Sequence, residues 1–148
     1  MPHGFELTTV VDRPIDEVFA FLAQGTNDPK FSPRVLEIAQ VGDGPPGVGT
    51  VFKSTVKDAG MKTKREFEYT EFEAPTKIRW TERSKNLVTV PAGGYDLTPQ
   101  GDGATSVRLF NEFEGHGLGK LFAGPAARAA NKGADEFGAA IKRAIESA

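Results

Sequence analysis

The sequence predicts an α+β fold in which seven antiparallel strands form a sheet wrapped around a long C-terminal helix, with one or two short helices between strands one and two. Three observations lead there. From Val48 to about Glu114 the chain alternates large and polar residues in short runs joined by turn-forming segments. A single 3.6-residue stripe follows the first strand, and the last third is Ala-rich and nearly free of turn signals.

Phe5 to Asp12 (FELTTVVD) is rich in β-branched residues and reads as strand one. The period then changes. Asp12-Arg13-Pro14 stands ahead of IDEVFAFLA, with Asp12 or the Arg13 backbone as the expected cap, Pro14 near the first turn and Asp16 and Glu17 at the positive end of the helix dipole. Ile15, Val18, Phe19 and Leu22 form its apolar stripe. Gln24 to Pro33 is turn-rich with room for one more brief helix, and Val35 to Val41 (VLEIAQV) reads as strand two.

GTVFKSTVK and KTKREFEYTEFE flank Lys57-Asp58-Ala59-Gly60-Met61, a hairpin loop whose Gly suits a left-handed position. KIRWTERS, LVTVPAGGYDLTP and TSVRLFNEFE follow, separated by short turns, and short connections between neighbouring strands require antiparallel pairing. Pro91 and Gly93-Gly94 predict a bulge or bend in the sixth run. Gly117 to Ser147 reads as helix with a break or kink at Pro125, which has no N–H to donate. At about 100° per residue, Phe122, Ala126, Ala129, Ala130, Gly133, Phe137, Ile141 and Ala144 share one arc. Small side chains in the middle of that face leave volume unless the sheet fills it, so a cavity and a close packing against the chain's eleven Phe are both open.

At 148 residues the chain is expected to form one domain, residues 1–148, with a substantial core. Eighteen Lys and Arg against twenty Asp and Glu give a net charge of −2, which disfavours a nucleic-acid or anionic-lipid binder. No Cys is present, which removes disulfides, thiolate metal sites and a Cys nucleophile. Neither a signal peptide nor an apolar run long enough to span a bilayer is evident, so a cytoplasmic protein without integral membrane association is expected.

His3 and His116 are the only imidazoles and lie far apart in sequence, so neither a two-His metal site nor a His-dependent triad is indicated; no metal and no cofactor are expected. His116 reads as a capping or exposed residue between the last strand and the helix. Gly42 to Gly49 has glycines but also two prolines and no GK[ST], and reads as a turn rather than a phosphate cradle. Lys57, Lys62, Lys64 and Arg65 suit a solvated hairpin tip.

Strand parity supplies the candidate site. If Val107, Leu109 and Phe113 face the concave side, so does Asn111; Ile78 and Trp80 carry Glu82, Leu97 carries Tyr95, and Phe67 carries Tyr69. Polar groups on an apolar face suit a ligand pocket with a few orienting hydrogen bonds, or a core in which they satisfy one another. With Phe122, Gly133 and Phe137 from the helix, the candidate ligand-binding residues are Phe67, Tyr69, Trp80, Glu82, Tyr95, Leu109, Asn111, Phe122, Gly133 and Phe137, and Glu82 is the candidate catalytic residue.

VDRPIDEVFAFLA (Val11 to Ala23), GDGPPGVGT (Gly42 to Thr50), EFEAPTKIRW (Glu71 to Trp80), YDLTPQGDGATSV (Tyr95 to Val107) and GLGKLFAGP (Gly117 to Pro125), in this order, resemble the helix-grip fold of the START and birch-pollen-allergen superfamily. Within it, nearly the whole chain is similar to the polyketide cyclase/dehydrase and lipid-transport family. The resemblance implies a cavity between sheet and C-terminal helix that holds a small apolar or amphipathic molecule, lipid or polyketide-like. The alternative is a cyclase or dehydratase using a pocket carboxylate or tyrosine as acid or base; no His-Asp pair or clustered carboxylates support it, and binding or transport is the favoured reading. A homodimer is left open.

Overall fold

A computed structural model of the chain describes residues 3–58 and 60–148. Strand β1 (His3–Val11) leads into helix α1 (Ile15–Ala23) and a 3-10 helix (Gly25–Lys30). Then come β2 (Val35–Val41), β3 (Val51–Asp58), β4 (Met61–Glu73), β5 (Lys77–Glu82), β6 (Val88–Thr89), β7 (Gly93–Gln100) and β8 (Ala104–Gly115). A second 3-10 helix (Gly117–Leu121), α2 (Ala123–Lys132) and α3 (Ala134–Glu146) complete the chain. The sheet order is β1-β8-β7-β5-β4-β3-β2, antiparallel throughout, with β6 paired to β8 off the main path.

The run expected as one sixth strand is divided. Pro91 cannot donate to a ladder, so β6 ends before it and β7 begins at Gly93, giving eight strands where seven were expected. Gly60 takes the left-handed conformation (φ 80°) in the β3–β4 hairpin, whose Ala59 lies outside the described residues. Pro14 is itself the N-cap of α1, and no side chain caps that helix, contrary to the capping role expected just upstream. Asp12 and Arg13 instead bind the far end of the chain: the Asp12 N–H donates to the Glu146 carboxylate at 2.8 Å and Arg13 donates to the Glu146 carbonyl at 2.6 Å.

The C-terminal segment differs most from expectation. Pro125 lies in the first turn of α2, where no donor is needed, so it opens that helix rather than kinking it. The interruption falls at Gly133, which separates α2 from α3. The buried positions are Ala123, Gly124 and Ala127 in α2, and Gly138, Ile141 and Ile145 in α3, which at about 100° per residue share one arc displaced from the expected one. Gly138 lets α3 approach β1 closely: a Cβ there would lie 3.3 Å from that of Thr9. Val11, Val18, Leu22, Ile78, Val107 and Ile141 are almost fully buried, joining α1, the sheet and α3 in one core, each side chain contributing roughly 1.5–3 kcal/mol by leaving water.

Candidate functional site

Residues opposite one another in an antiparallel ladder share a face, so the register fixes the concave surface. One line runs Phe5, Asn111, Gly93, Trp80, Tyr69; the next runs Leu7, Leu109, Tyr95, Ile78, Phe72. Glu82 is opposite Phe67, and Phe67 is opposite Phe52. The seven strand residues singled out by parity, Phe67, Tyr69, Trp80, Glu82, Tyr95, Leu109 and Asn111, thus share one face. A register shift between Tyr69 and Glu71 brings Phe72 onto it as well.

Of the three helix residues, Phe137 alone is brought to this face, its ring 6.3 Å from that of Phe5 and 6.0 Å from that of Phe31. Phe122 is 54% exposed, and Gly133 is exposed, with only the Ala129 and Ala130 carbonyl oxygens near where a Cβ would project, at 3.8 and 4.0 Å, so neither lines the concave face. Both lie off the arc shared by the buried Ala123, Ala127, Ile141 and Ile145. Aromatic rings supply the bulk that the small helix residues lack. Phe21, Phe31, Phe137, Phe5 and Phe113 form one chain of ring contacts; Phe52, Tyr69, Phe72 and Phe19 form a second, at 5.1–5.8 Å.

Two of the polar groups satisfy one another. The Trp80 indole N–H donates to Asn111 Oδ1 at 2.9 Å, and both lie over Gly93, where a Cβ would come within 2.1 Å of Asn111 Oδ1 and 2.4 Å of Trp80 Nε1. Glu82 is closed off in another way. Its side chain is 0% exposed and accepts hydrogen bonds from Arg65 on both oxygens at 3.1 Å, from Ser84 at 2.5 Å, from Asn86 at 3.0 Å and from the Val90 N–H at 2.9 Å. Arg65 also donates to the Val88 carbonyl at 2.7 Å, so this network pins the β5–β6 connection to β4. A carboxylate held by four groups has little capacity left for a substrate.

The concave face holds a different ionisable group, one the sequence reading passed over. Asp28 sits in the 3-10 helix that follows α1, and the junction of the two lies against the sheet: the Tyr69 hydroxyl donates to the carbonyl of Ala23 at the end of α1 at 3.0 Å, and a Cβ on Gly25, which opens the 3-10 helix, would meet the Phe52 ring at 2.9 Å. As a residue Asp28 is half-buried, yet protein surrounds its carboxyl closely enough that burial pushes its pKa from 3.8 to about 7. Burial, then the nearby Asp28 charge, also raises the Tyr69 and Tyr95 hydroxyls above the ordinary tyrosine range. Tyr95, T-stacked on Trp80 at 5.2 Å, is 5% exposed, and among the described residues its hydroxyl has no hydrogen-bond partner. Every fully enclosed side-chain nitrogen or oxygen among these residues does have one, so the Tyr95 hydroxyl is not fully enclosed by protein.

Two grooves open at the surface nearby. One, of about 480 Å³, lies along the seam between the first 3-10 helix and α3, lined by Lys30, Ala140, Arg143 and Ala144 among others. The second, of about 410 Å³, lies between β8 and α2 and includes His3, Glu112, Phe113 and Lys120. His116 is exposed and meets the Thr89 hydroxyl at 2.8 Å. Among the described residues no group of three or more His, Asp or Glu is placed to hold a metal ion, and no helix is long and apolar enough to cross a membrane.

A curved antiparallel sheet gripping C-terminal helices is the helix-grip fold. The chain belongs to the polyketide cyclase/dehydrase and lipid transport family, whose profile matches residues 2–146. Among solved structures, it is similar to the Zhui aromatase/cyclase from Streptomyces sp. R1128 (17% identity, TM-score 0.75, covering 99% of this chain and 93% of that one). It is also similar to a START superfamily protein from Mycobacterium smegmatis (14%, 0.77, 98% of each chain) and to norcoclaurine synthase from Thalictrum flavum (10%, 0.72, 99% and 96%). At these identities the likeness concerns the fold. No curated protein matches the sequence.

Proposed function

We propose that the chain binds a small apolar or amphipathic molecule, lipid or polyketide-like, between the concave sheet face and the C-terminal helices. The observation that carries this reading is the Tyr95 hydroxyl: a polar group on a largely buried residue, with no partner among the described residues, on a face of Phe, Leu, Ile and Trp whose other polar groups, Tyr69, Glu82 and Asn111, are already paired. A pocket that orients a ligand needs few polar groups and an apolar wall, and this face offers that combination. The way in is the seam beside Lys30 and Ala140, where Phe31 rests against Phe137 and must part from it. Family membership supports a role of this kind.

Native mass spectrometry of protein purified from its own host tests the reading for the natural ligand, and titration with the neutral fluorescent probe Nile red tests it in isolation. A ligand at a hundredfold excess over its dissociation constant should stabilise the fold by about 2.7 kcal/mol. A protein that retains no molecule and shows no shift with any apolar probe is closely packed, and the reading fails.

A cyclase or dehydratase is the second reading, favoured by one observation. A carboxyl with a pKa of about 7 can both take a proton from a carbon beside a ketone and return one to a departing hydroxyl, which leaves as water. On this reading Asp28, rather than the fully engaged Glu82, does the proton transfer. Asp28→Asn would then abolish turnover of an aromatic polyketide substrate, whereas a wild-type protein with no turnover leaves only binding.

A further inference from the structure

Among the described residues, the polar groups on the concave face itself include no cation free to meet an anionic ligand; Lys30 and Arg143 line the groove at its outer edge, not the face. Arg65 is committed to Glu82 and the Val88 carbonyl. Arg79 and Arg108 lie on the opposite face of the sheet, where both bind Asp96 and stack on the Phe110 ring, and Arg108 also pairs with Glu6. The Tyr69 hydroxyl and the Trp80 N–H already donate within the protein. What is left for a ligand is the hydroxyl of Tyr95, a residue 5% exposed, which has no hydrogen-bond partner among the described residues, with the Asp28 carboxyl close enough for its charge to act on both tyrosines.

Building on the ligand-binding reading above, we propose that Tyr95 recognises an uncharged oxygen on the ligand, so that the site selects neutral, oxygen-bearing apolar molecules such as ketones and esters, and rejects carboxylates. A ketone oxygen accepts the tyrosine O–H and leaves no polar group unsatisfied. A hydrocarbon of the same shape leaves the hydroxyl unpaired. A carboxylate brings its charge into a desolvated site beside another carboxyl, with no cation to offset the lost hydration. Selection therefore runs on the oxygen's charge as much as on the ligand's shape.

Three probes of one shape separate these cases: 2-acetylnaphthalene, 2-ethylnaphthalene and 2-naphthoate, titrated at pH 8 by calorimetry into wild type and Tyr95→Phe. The indole N–H resonance of Trp80, the only tryptophan, reports local occupancy. In the wild type the ketone should bind at least tenfold more tightly than the naphthoate. In Tyr95→Phe the ketone-to-hydrocarbon affinity ratio should fall three- to tenfold, with the hydrocarbon's own affinity within twofold of wild type. Naphthoate binding as tightly as the ketone, or an affinity ratio unchanged by Tyr95→Phe, overturns the proposal while leaving the ligand-binding reading in place. Should Tyr95→Phe not fold, the wild-type order of ketone over naphthoate decides alone. If none of the three binds and the Trp80 resonance does not move, both fall.

Discussion

Replacing Asp28 by Asn should stabilise the protein at neutral and alkaline pH. In the folded state burial lifts this carboxyl from 3.8 to about 7; in the unfolded chain it returns to the ordinary value. Below about pH 4 both states hold the proton and the group costs nothing. Between about 4 and 7 the unfolded chain releases the proton while the folded one keeps it, so stability falls by up to about 1.4 kcal/mol for each pH unit. Above 7 the folded protein carries the buried charge and the loss is complete. The full range corresponds to about 4 kcal/mol, and partial exposure of the residue reduces it to roughly 2–4 kcal/mol. Tyr69 and Tyr95, the titratable groups that share its surroundings, are themselves raised and stay protonated throughout. Asn matches the protonated acid in size, so the two proteins should unfold at nearly the same urea concentration at pH 4 and diverge as pH rises, with Asp28→Asn the more stable by 2–4 kcal/mol at pH 8. A difference that does not change with pH, or a variant less stable at pH 8, would refute the claim that this carboxyl is desolvated without a partner.

Three further substitutions probe the rest of the face. Gly93→Ala drives a methyl between Trp80 and Asn111 and should cost roughly 2–5 kcal/mol from overpacking and the broken hydrogen bond, with a changed Trp80 emission spectrum. Arg65→Met strands a fully buried Glu82 and should destabilise by about 3–5 kcal/mol, and adding Glu82→Gln should recover at least about 1 kcal/mol in a double-mutant cycle by urea unfolding. Gly133→Ala, at φ −91° where a Cβ would make only ordinary contact with the Ala129 and Ala130 carbonyls (3.8 and 4.0 Å), should raise stability by about 0.5–1 kcal/mol and increase the thermal midpoint.

Elements with an unbroken period were legible in the sequence. Val35–Val41 and Ile15–Ala23 fall where alternation and the Ile15, Val18, Phe19, Leu22 stripe place them. Parity placed Tyr95, Asn111 and Trp80 on one face because side-chain alternation survives wherever no bulge intervenes, and the bulge after Tyr69 is where it would have misled. The buried face of the C-terminal helices was misplaced. A run of Ala and Gly gives little apolar contrast, so the expected arc was centred too near Phe122 and Gly133, which are exposed, and left out Ile145, which shares the buried side with Ala123, Ala127 and Ile141. Asp28 was hidden for a different reason. Gly-Thr-Asn-Asp-Pro has the composition of a solvated turn, and only the packing of that turn against Phe52 and Tyr69 reveals its carboxyl as buried. Glu82 showed the converse, a carboxylate correctly placed by parity whose partners Arg65, Ser84 and Asn86 come from a network no local pattern encodes.

A ligand on the concave face should sit against Tyr95, and intermolecular nuclear Overhauser effects between 2-acetylnaphthalene and isotope-labelled protein test this most directly. Cross-peaks are expected from the naphthyl protons to the Tyr95 ring, the Trp80 indole and the methyl groups of Leu109 and Ile78. Cross-peaks confined to the exposed side chains of Leu118, Leu121 and Phe122, which are 73%, 71% and 54% exposed, would place the molecule on the surface and contradict it.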